Sequence, residues 1–131
     1  MDNYQTLEVV TDDDRESAVA LLLTNWEKQK TSLSALFSAR NKSAVAELMC
    51  ASIHQFLILL SITNLKDFTS EENLIEEANS LEYKPINFTE RFEFIKNNPK
   101  LHHSFVQLCE LYNEQIKLYA KSKIIRSKQK K

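Results

Sequence analysis

No glycine occurs among the 131 residues of this chain. Loops that hold phosphate groups depend on glycine, because a residue without a Cβ lets the backbone approach the ligand closely. The P-loop and the glycine-rich dinucleotide-binding motif are therefore both excluded. Tight two-residue β-hairpin turns also lose their preferred residue, which argues against a β-rich fold. The missing glycine thus points away from most nucleotide-dependent enzymes.

The chain also lacks a long uninterrupted hydrophobic run. Its most apolar segment, residues 45–60, is interrupted by Glu47, His54 and Gln55, so we expect it to be too short and too polar to span a bilayer. Residues 1–10 contain no positive cluster followed by an apolar run, which argues against a secretory signal. We therefore predict a cytoplasmic protein with no membrane partner, whose two cysteines stay reduced.

Acidic residues are absent from the C-terminus. Residues 121–131 carry six positive charges and no acid, whereas the other 120 residues hold eleven basic and eighteen acidic groups, a net charge of −7. Six charges could bind the phosphates of a nucleic acid without reading its sequence. No aromatic residue lies among them to stack on bases, and the acidic body opposes such binding, so a solvated terminus is the alternative. The candidate phosphate contacts are Lys121, Lys123, Arg126, Lys128, Lys130 and Lys131.

Apolar residues recur with the period of an α-helix along most of the chain. This period predicts three long helices, at about residues 11–40, 43–63 and 98–121. Asn41 is predicted to end the first helix in the position that glycine usually takes. Asn98, followed by proline, is predicted to cap the last helix.

Two shorter helices are predicted between the second and the last long helix, each starting with a capping-box spacing. These spacings are Thr69 with Glu72 and Asn87 with Glu90. We therefore expect an all-α fold, a helical bundle of three long helices plus two short helices, over residues 11–121. Residues 1–10 are expected to form a frayed N-terminus, and residues 122–131 a basic C-terminal tail.

The most unusual segment is the predicted loop at residues 83–88, which reads Tyr-Lys-Pro-Ile-Asn-Phe. Its proline holds the preceding residue in an extended conformation. A loop that combines an aromatic ring, a cation and an amide can present a binding surface. The alternative is that its apolar side chains pack on the helices and leave its lysine in solvent. The candidate partner-binding surface consists of Tyr83, Lys84, Asn87, Arg91 and His103.

Two sets of residues have some features of a catalytic site, but each has a simpler interpretation. Glu47, Cys50 and His54 share one helical face and could in principle bind a metal ion, but the chain contains neither a C-x2-C pair nor an H-E-x-x-H motif. Cys109 and His103 have no sequence context typical of a catalytic triad. We therefore predict no catalytic residues, no metal and no cofactor.

Several segments of the chain resemble the YpoC-like family of Firmicutes. The resemblance covers roughly residues 20–121 and is carried by residues 26–27, 36–37, 83–87, 90–95, 103–105, 107–108, 110–111 and 119–121, with Arg40 and Pro99. The family is uncharacterised, and the resemblance implies a protein of the bacterial cytoplasm. The genes of this family tend to lie near genes for replication initiation, base-excision repair and cell-wall synthesis.

These observations lead to two functional hypotheses. The first is a non-catalytic helical protein that acts through protein–protein contacts. The second is a nucleic-acid-binding accessory protein, in a context of DNA replication or repair, that uses the basic tail. A homodimer is a further expectation, because residues 56–60 are apolar almost all round and would form an interface if exposed.

Overall fold

The structure is a computed structural model that describes residues 12–129. Within this range the chain forms five α-helices and no β-strand, which confirms the all-α prediction. The helices are α1 (Asp12–Ser38), α2 (Lys42–Asn64), α3 (Glu71–Glu77), α4 (Phe88–Asn97) and α5 (His102–Gln129), with a 3-10 turn at Ala78–Ser80. The prediction for residues 1–10 lies outside the described residues.

Helix α2 lies at the centre of the fold and contacts both α1 and α5, while α4 packs on α5. Its segment Phe56–Leu60 is apolar almost all round, and Phe56, Leu57, Leu59 and Leu60 are all fully buried. A helix in this position needs apolar side chains around most of its circumference. The apolar stretch is therefore part of the core.

Aromatic stacking joins the three long helices. The rings of Trp26 in α1 and Tyr112 in α5 stack with centroids 3.9 Å apart and planes 7° apart. Phe56 of α2 meets the edge of Tyr112 at 5.3 Å. All three side chains are almost completely buried. An edge-to-face pair such as Phe56–Tyr112 adds about 0.5–1.5 kcal/mol beyond the burial of its area.

Helix α2 contains the segment that was expected to be too short and too polar to span a bilayer. It has 23 residues, and its most apolar 18-residue window has a mean hydropathy of 1.8, so by length and composition it could cross a bilayer. The prediction that this segment is too short and too polar was wrong on both counts. Within the structure, however, 61% of that window is buried. The central position of α2 accounts for its hydrophobicity.

The end of α1 differs from the prediction. The helix ends at Ser38, and Arg40, not Asn41, adopts the left-handed conformation, with φ 58°. The amides of Arg40 and Asn41 donate to the carbonyls of Phe37 and Leu36, at 3.0 and 3.1 Å, which is the Schellman arrangement. Asn41 instead caps α2, because its side-chain oxygen accepts from the amide of Ala44 at 3.2 Å.

Two other predicted starts of helices were misplaced, and a third lies where predicted but lacks the predicted side-chain cap. Ser70, not Thr69, caps α3 and accepts from the amide of Asn73 at 3.1 Å. Asn87 precedes α4 as predicted, but its φ of 56° is left-handed and its side chain makes no capping hydrogen bond. Helix α5 begins only at His102, because Asn98 and the residues after it first form a turn. Cap positions depend on backbone torsions that the residue type alone does not determine.

Candidate functional site

The predicted loop packs on the body of the protein. Tyr83 is only 6% exposed, and its backbone is held on both sides by the side chain of Asn64. The Asn64 amide nitrogen donates to the Tyr83 carbonyl at 2.9 Å, and the Tyr83 amide donates to the Asn64 oxygen at 2.9 Å. Gln115 donates to the same carbonyl at 3.0 Å, and Lys84 donates to the carbonyl of Leu81. Tyr83 and Lys84 thus both make contacts within the chain.

Arg91 fastens the other end of the loop to α5. Its guanidinium donates two hydrogen bonds to the carboxylate of Glu114, at 2.9 and 2.6 Å, and one to the carbonyl of Ile86 at 2.9 Å. A longer contact of 3.4 Å reaches Gln107. Hydrogen bonding to Glu114 raises the pKa of Arg91 above its usual value. Paired donors on a carboxylate give this contact both strength and a fixed geometry.

The remaining two members of the predicted partner-binding surface are exposed. Asn87 lies in solvent before α4, and His103 lies on α5 with its ring 5.5 Å from that of Phe94. Three of the five predicted residues therefore have partners inside the chain, whereas Asn87 and His103 stay on the surface. Their role in binding remains a prediction.

Most of the predicted basic C-terminal tail is part of helix α5. Residues 122–129 continue α5, and Ser122 is buried. Arg126 donates to the carbonyl of Thr63 at 2.6 Å and lies 5.5 Å from the centre of the Tyr83 ring. A cation is favourable there because the carbonyls at the end of α2 carry partial negative charge. Arg126 is therefore a structural contact as well as a positive charge.

Of the other predicted phosphate contacts, one forms an ion pair with α1 and two are exposed on the surface of α5. Lys123 pairs with Glu16 of α1 at 3.4 Å. Lys121 and Lys128 are exposed, and helical spacing places them on one face with Lys117 and Ile124, the latter 58% exposed. Lys130 and Lys131 lie outside the described residues. We call the face of Lys117, Lys121, Ile124 and Lys128 the basic stripe.

A groove between α1 and α2 was not predicted from the sequence. It has a volume of about 610 Å³. Its apolar lining consists of Ala18, Leu21, Leu22, Ala51 and Ile58, and its polar lining of Asn25, Gln29, His54 and Gln55. Leu21 is 73% exposed and lies beside the other apolar side chains of this lining. No aspartate, glutamate, lysine or arginine lines the groove.

A chain of hydrogen bonds fixes the polar side of this groove. Gln55 accepts from Asn25 at 2.7 Å and donates to Gln29 at 2.8 Å. It also approaches the hydroxyl of Tyr112 at 3.3 Å, which in turn donates to the carbonyl of Ser52 at 2.7 Å. Burial raises the pKa of Tyr112 well above its usual value. The amides of the groove are thus connected to the aromatic core.

The residues considered for a metal site do not form one. Within residues 12–129, no group of three or more His, Cys, Asp or Glu side chains is placed to hold a metal ion. Cys50 is exposed and Cys109 is half-buried. Burial raises the pKa of Cys109, which is the opposite of the change that activates a nucleophilic thiol.

Fold and surface together define a small all-α protein with a charge-free groove on one side and a basic helical stripe on another. The chain belongs to the YpoC-like protein family, whose model matches residues 16–127. It is similar to the uncharacterized protein YpoC of Bacillus subtilis (strain 168), with 33% identity over 109 residues. This alignment covers 83% of the present chain and 66% of the relative. No solved structure gives a significant match.

Proposed function

We propose that this protein is a non-catalytic interaction module of the bacterial cytoplasm. Its three long helices, supported by α3 and α4, form a helical bundle, and the groove between α1 and α2 binds an amphipathic helix of a protein partner. The single observation that carries the proposal is the exposure of Leu21, 73%, in a groove without a charged side chain.

The composition of the groove supports a protein interface. Charged residues make up 27% of the chain, yet none lines this groove. Depletion of charge is the compositional feature that distinguishes the centre of an interface from the remaining surface. The amides of Asn25, Gln29 and Gln55 already bond to one another. These bonds already satisfy one end of the Asn25 and Gln29 amides, so a partner that covers the groove leaves fewer polar groups to be paired.

The dimensions of the groove fit a helix. From Ala18 to Gln29 the lining of α1 extends about 16 Å, at 1.5 Å per residue, which matches three turns of a partner helix. The small side chains of Ala18 and Ala51 allow the backbone of a partner helix to approach the backbones of α1 and α2 closely. A helix bound in a groove places its side chains i, i+3, i+4 and i+7 against the apolar wall.

Charge at the ends of the groove indicates the flanks of the partner. Asp14 lies one turn before Ala18 on α1, and Glu47 lies one turn before Ala51 on α2. These acids favour a helix whose apolar positions are flanked by lysine or arginine, because complementary charges steer association and fix its register.

Photo-crosslinking in cells of the organism that encodes the chain tests this proposal. A benzoylphenylalanine at Ala18 and, separately, at Ala51 should give the same discrete adduct with one other protein. The matched control is Ala120, which is exposed on α5 and should give no such adduct. Absence of an adduct at the groove positions would refute the proposal. An adduct of the chain with itself would replace it with a homodimer.

A second candidate function rests on the basic stripe. Lys117, Lys121 and Lys128 share one face of α5, and no acid occurs in the chain after Glu114. Such a face can neutralise phosphates along a nucleic acid, with an affinity that falls steeply with salt.

Point substitutions test this second function better than truncation, because truncation after residue 121 also removes the contact of Arg126 with Thr63. The double variant Lys121→Gln/Lys128→Gln should reduce the slope of log K against log salt by about two on duplex DNA. The control Lys28→Gln/Lys42→Gln, on exposed positions of α1 and α2, should leave the slope unchanged. Absence of binding at low salt would exclude the function.

A further inference from the structure

A second cavity lies between the beginning of α1 and the end of α5, away from the groove. Its volume is about 270 Å³. Its polar lining consists of Arg15, Glu16, Tyr119, Lys123, Arg126 and Ser127. Three cationic side chains and one carboxylate therefore converge on a space that one small ligand would fill.

We infer that this cavity binds a small phosphate-type dianion. The three cations and one acid give the lining a net charge of +2, which balances the −2 charge of a dianion. Guanidinium groups match the geometry of phosphate oxygens, and two of the three cations are arginines. The hydroxyls of Tyr119 and Ser127 supply neutral hydrogen-bond donors beside them.

The size of the cavity selects the ligand further. Pockets for drug-sized ligands begin at about 300 Å³. The present cavity, at about 270 Å³, lies just below that range, which favours a phosphoryl group or pyrophosphate over a whole nucleotide. This conclusion agrees with the sequence, in which the absence of glycine excludes the usual nucleotide loops.

Existing contacts show how the site is held and what the ligand displaces. Arg126 is positioned by the carbonyl of Thr63 at 2.6 Å and by the hydroxyl of Ser122 at 3.4 Å. Lys123 lies 3.4 Å from Glu16 and 5.4 Å from the centre of the Tyr119 ring. Both partners of the Lys123–Glu16 pair are about half exposed, so the pair is weak and can yield to a dianion.

Isothermal titration calorimetry at low salt tests the inference with inorganic phosphate and pyrophosphate as probes. The full chain should bind one anion. Lys123→Gln and Arg15→Gln should each weaken binding by about tenfold or more, the loss expected for one charge-assisted hydrogen bond. The matched control is Lys28→Gln, which removes one positive charge from an exposed position of α1 outside the cavity and should bind as the full chain does. Thermal melting of each variant verifies that it is folded.

Two oligonucleotide arms identify the source of the anion. The source of the anion is the end of a nucleic acid if a trinucleotide with a 5′-phosphate binds more tightly than inorganic phosphate and its unphosphorylated form does not bind. Equal or weaker binding of that trinucleotide indicates a free anion. The inference is overturned if the full chain binds neither phosphate nor pyrophosphate, or if the control weakens binding as much as the cavity variants. Because the cavity lies apart from the groove, this result is independent of the proposed partner helix.

Discussion

The substitution Tyr112→Phe removes one hydroxyl group and tests the hydrogen bonds that connect the aromatic core to the groove. The substitution leaves the ring that stacks on Trp26, but it deletes the hydroxyl that donates to the carbonyl of Ser52 at 2.7 Å. Gln55 loses one acceptor and retains Gln29. Every other contact of the ring is unchanged, so the effect on stability reports this hydroxyl alone.

The expected loss at pH 7 is about 1 kcal/mol in the free energy of unfolding, the net value of a typical buried hydrogen bond. For a domain of this size, such a loss lowers the melting temperature by about 4 °C. Urea denaturation provides the measurement, with helix content followed by circular dichroism and the environment of Trp26 by fluorescence. Trp26 is the single tryptophan and is 1% exposed, so its emission reports the core directly.

The pH dependence gives a sharper test. The pKa of Tyr112 is raised in the folded state by burial. Below about pH 10, the usual tyrosine pKa, both states keep the proton and this group adds no pH dependence. Above it, the unfolded state releases the proton and the folded state keeps it, so the native protein loses about 1 kcal/mol over the next pH unit. The Phe variant has no such loss at this position.

The two proteins should therefore converge in stability near pH 11. A difference that stays constant from pH 7 to pH 11 would refute the assignment of Tyr112 as a buried, protonated donor. A loss well above 3 kcal/mol at pH 7 would show instead that the ring itself had moved.

Three further substitutions or reagents give independent tests. Arg40→Gly should stabilise the protein by about 0.5–1 kcal/mol in urea denaturation, because Arg40 has a left-handed φ of 58° at the end of α1. Arg40→Ala should not stabilise it. Equal effects of the two substitutions would contradict this reasoning. Asn64→Ala should lower the free energy of unfolding by about 2 kcal/mol, because it leaves the buried amide of Tyr83 unpaired. An unchanged urea midpoint would contradict a stabilising role for these two hydrogen bonds. Exposed Cys50 should react with a thiol reagent at pH 8 much faster than Cys109, whose pKa is raised by burial, and the fast phase should disappear in Cys50→Ser.

The class of fold was predictable because helical periodicity repeats along α1, α2 and α5 and does not depend on distant contacts. The helix ends were less predictable. Asn41 reads as the end of α1 because asparagine tolerates the left-handed conformation, yet Arg40 adopts it and Asn41 caps the next helix. In a chain without glycine, every tight helix end has to use a residue that is not specialised for it, and the residue type then gives little guidance.

The candidate site was less predictable than the fold. Tyr83 and Arg91 were predicted to belong to a partner-binding surface. Their partners inside the chain, Asn64 and Glu114, lie 19 and 23 residues away in the sequence, and no local spacing indicates them. The groove between α1 and α2 was missed because Leu21 lies outside the main apolar stripe. The signal that could have revealed it is a second, weaker stripe, in which Ala18 and Leu21 recur at helical spacing.

Leu21→Glu tests whether the groove between α1 and α2 binds a partner helix. Because Leu21 is 73% exposed, the variant should fold normally. The affinity of the crosslinked partner segment, measured by fluorescence anisotropy, should fall at least about tenfold, since burial of one leucine is worth roughly 1.5–3 kcal/mol and a glutamate is costly to bury. Ile124→Glu, at a similarly exposed aliphatic residue on α5, should bind as the native protein does. Equal affinities of the native protein and Leu21→Glu would contradict the account.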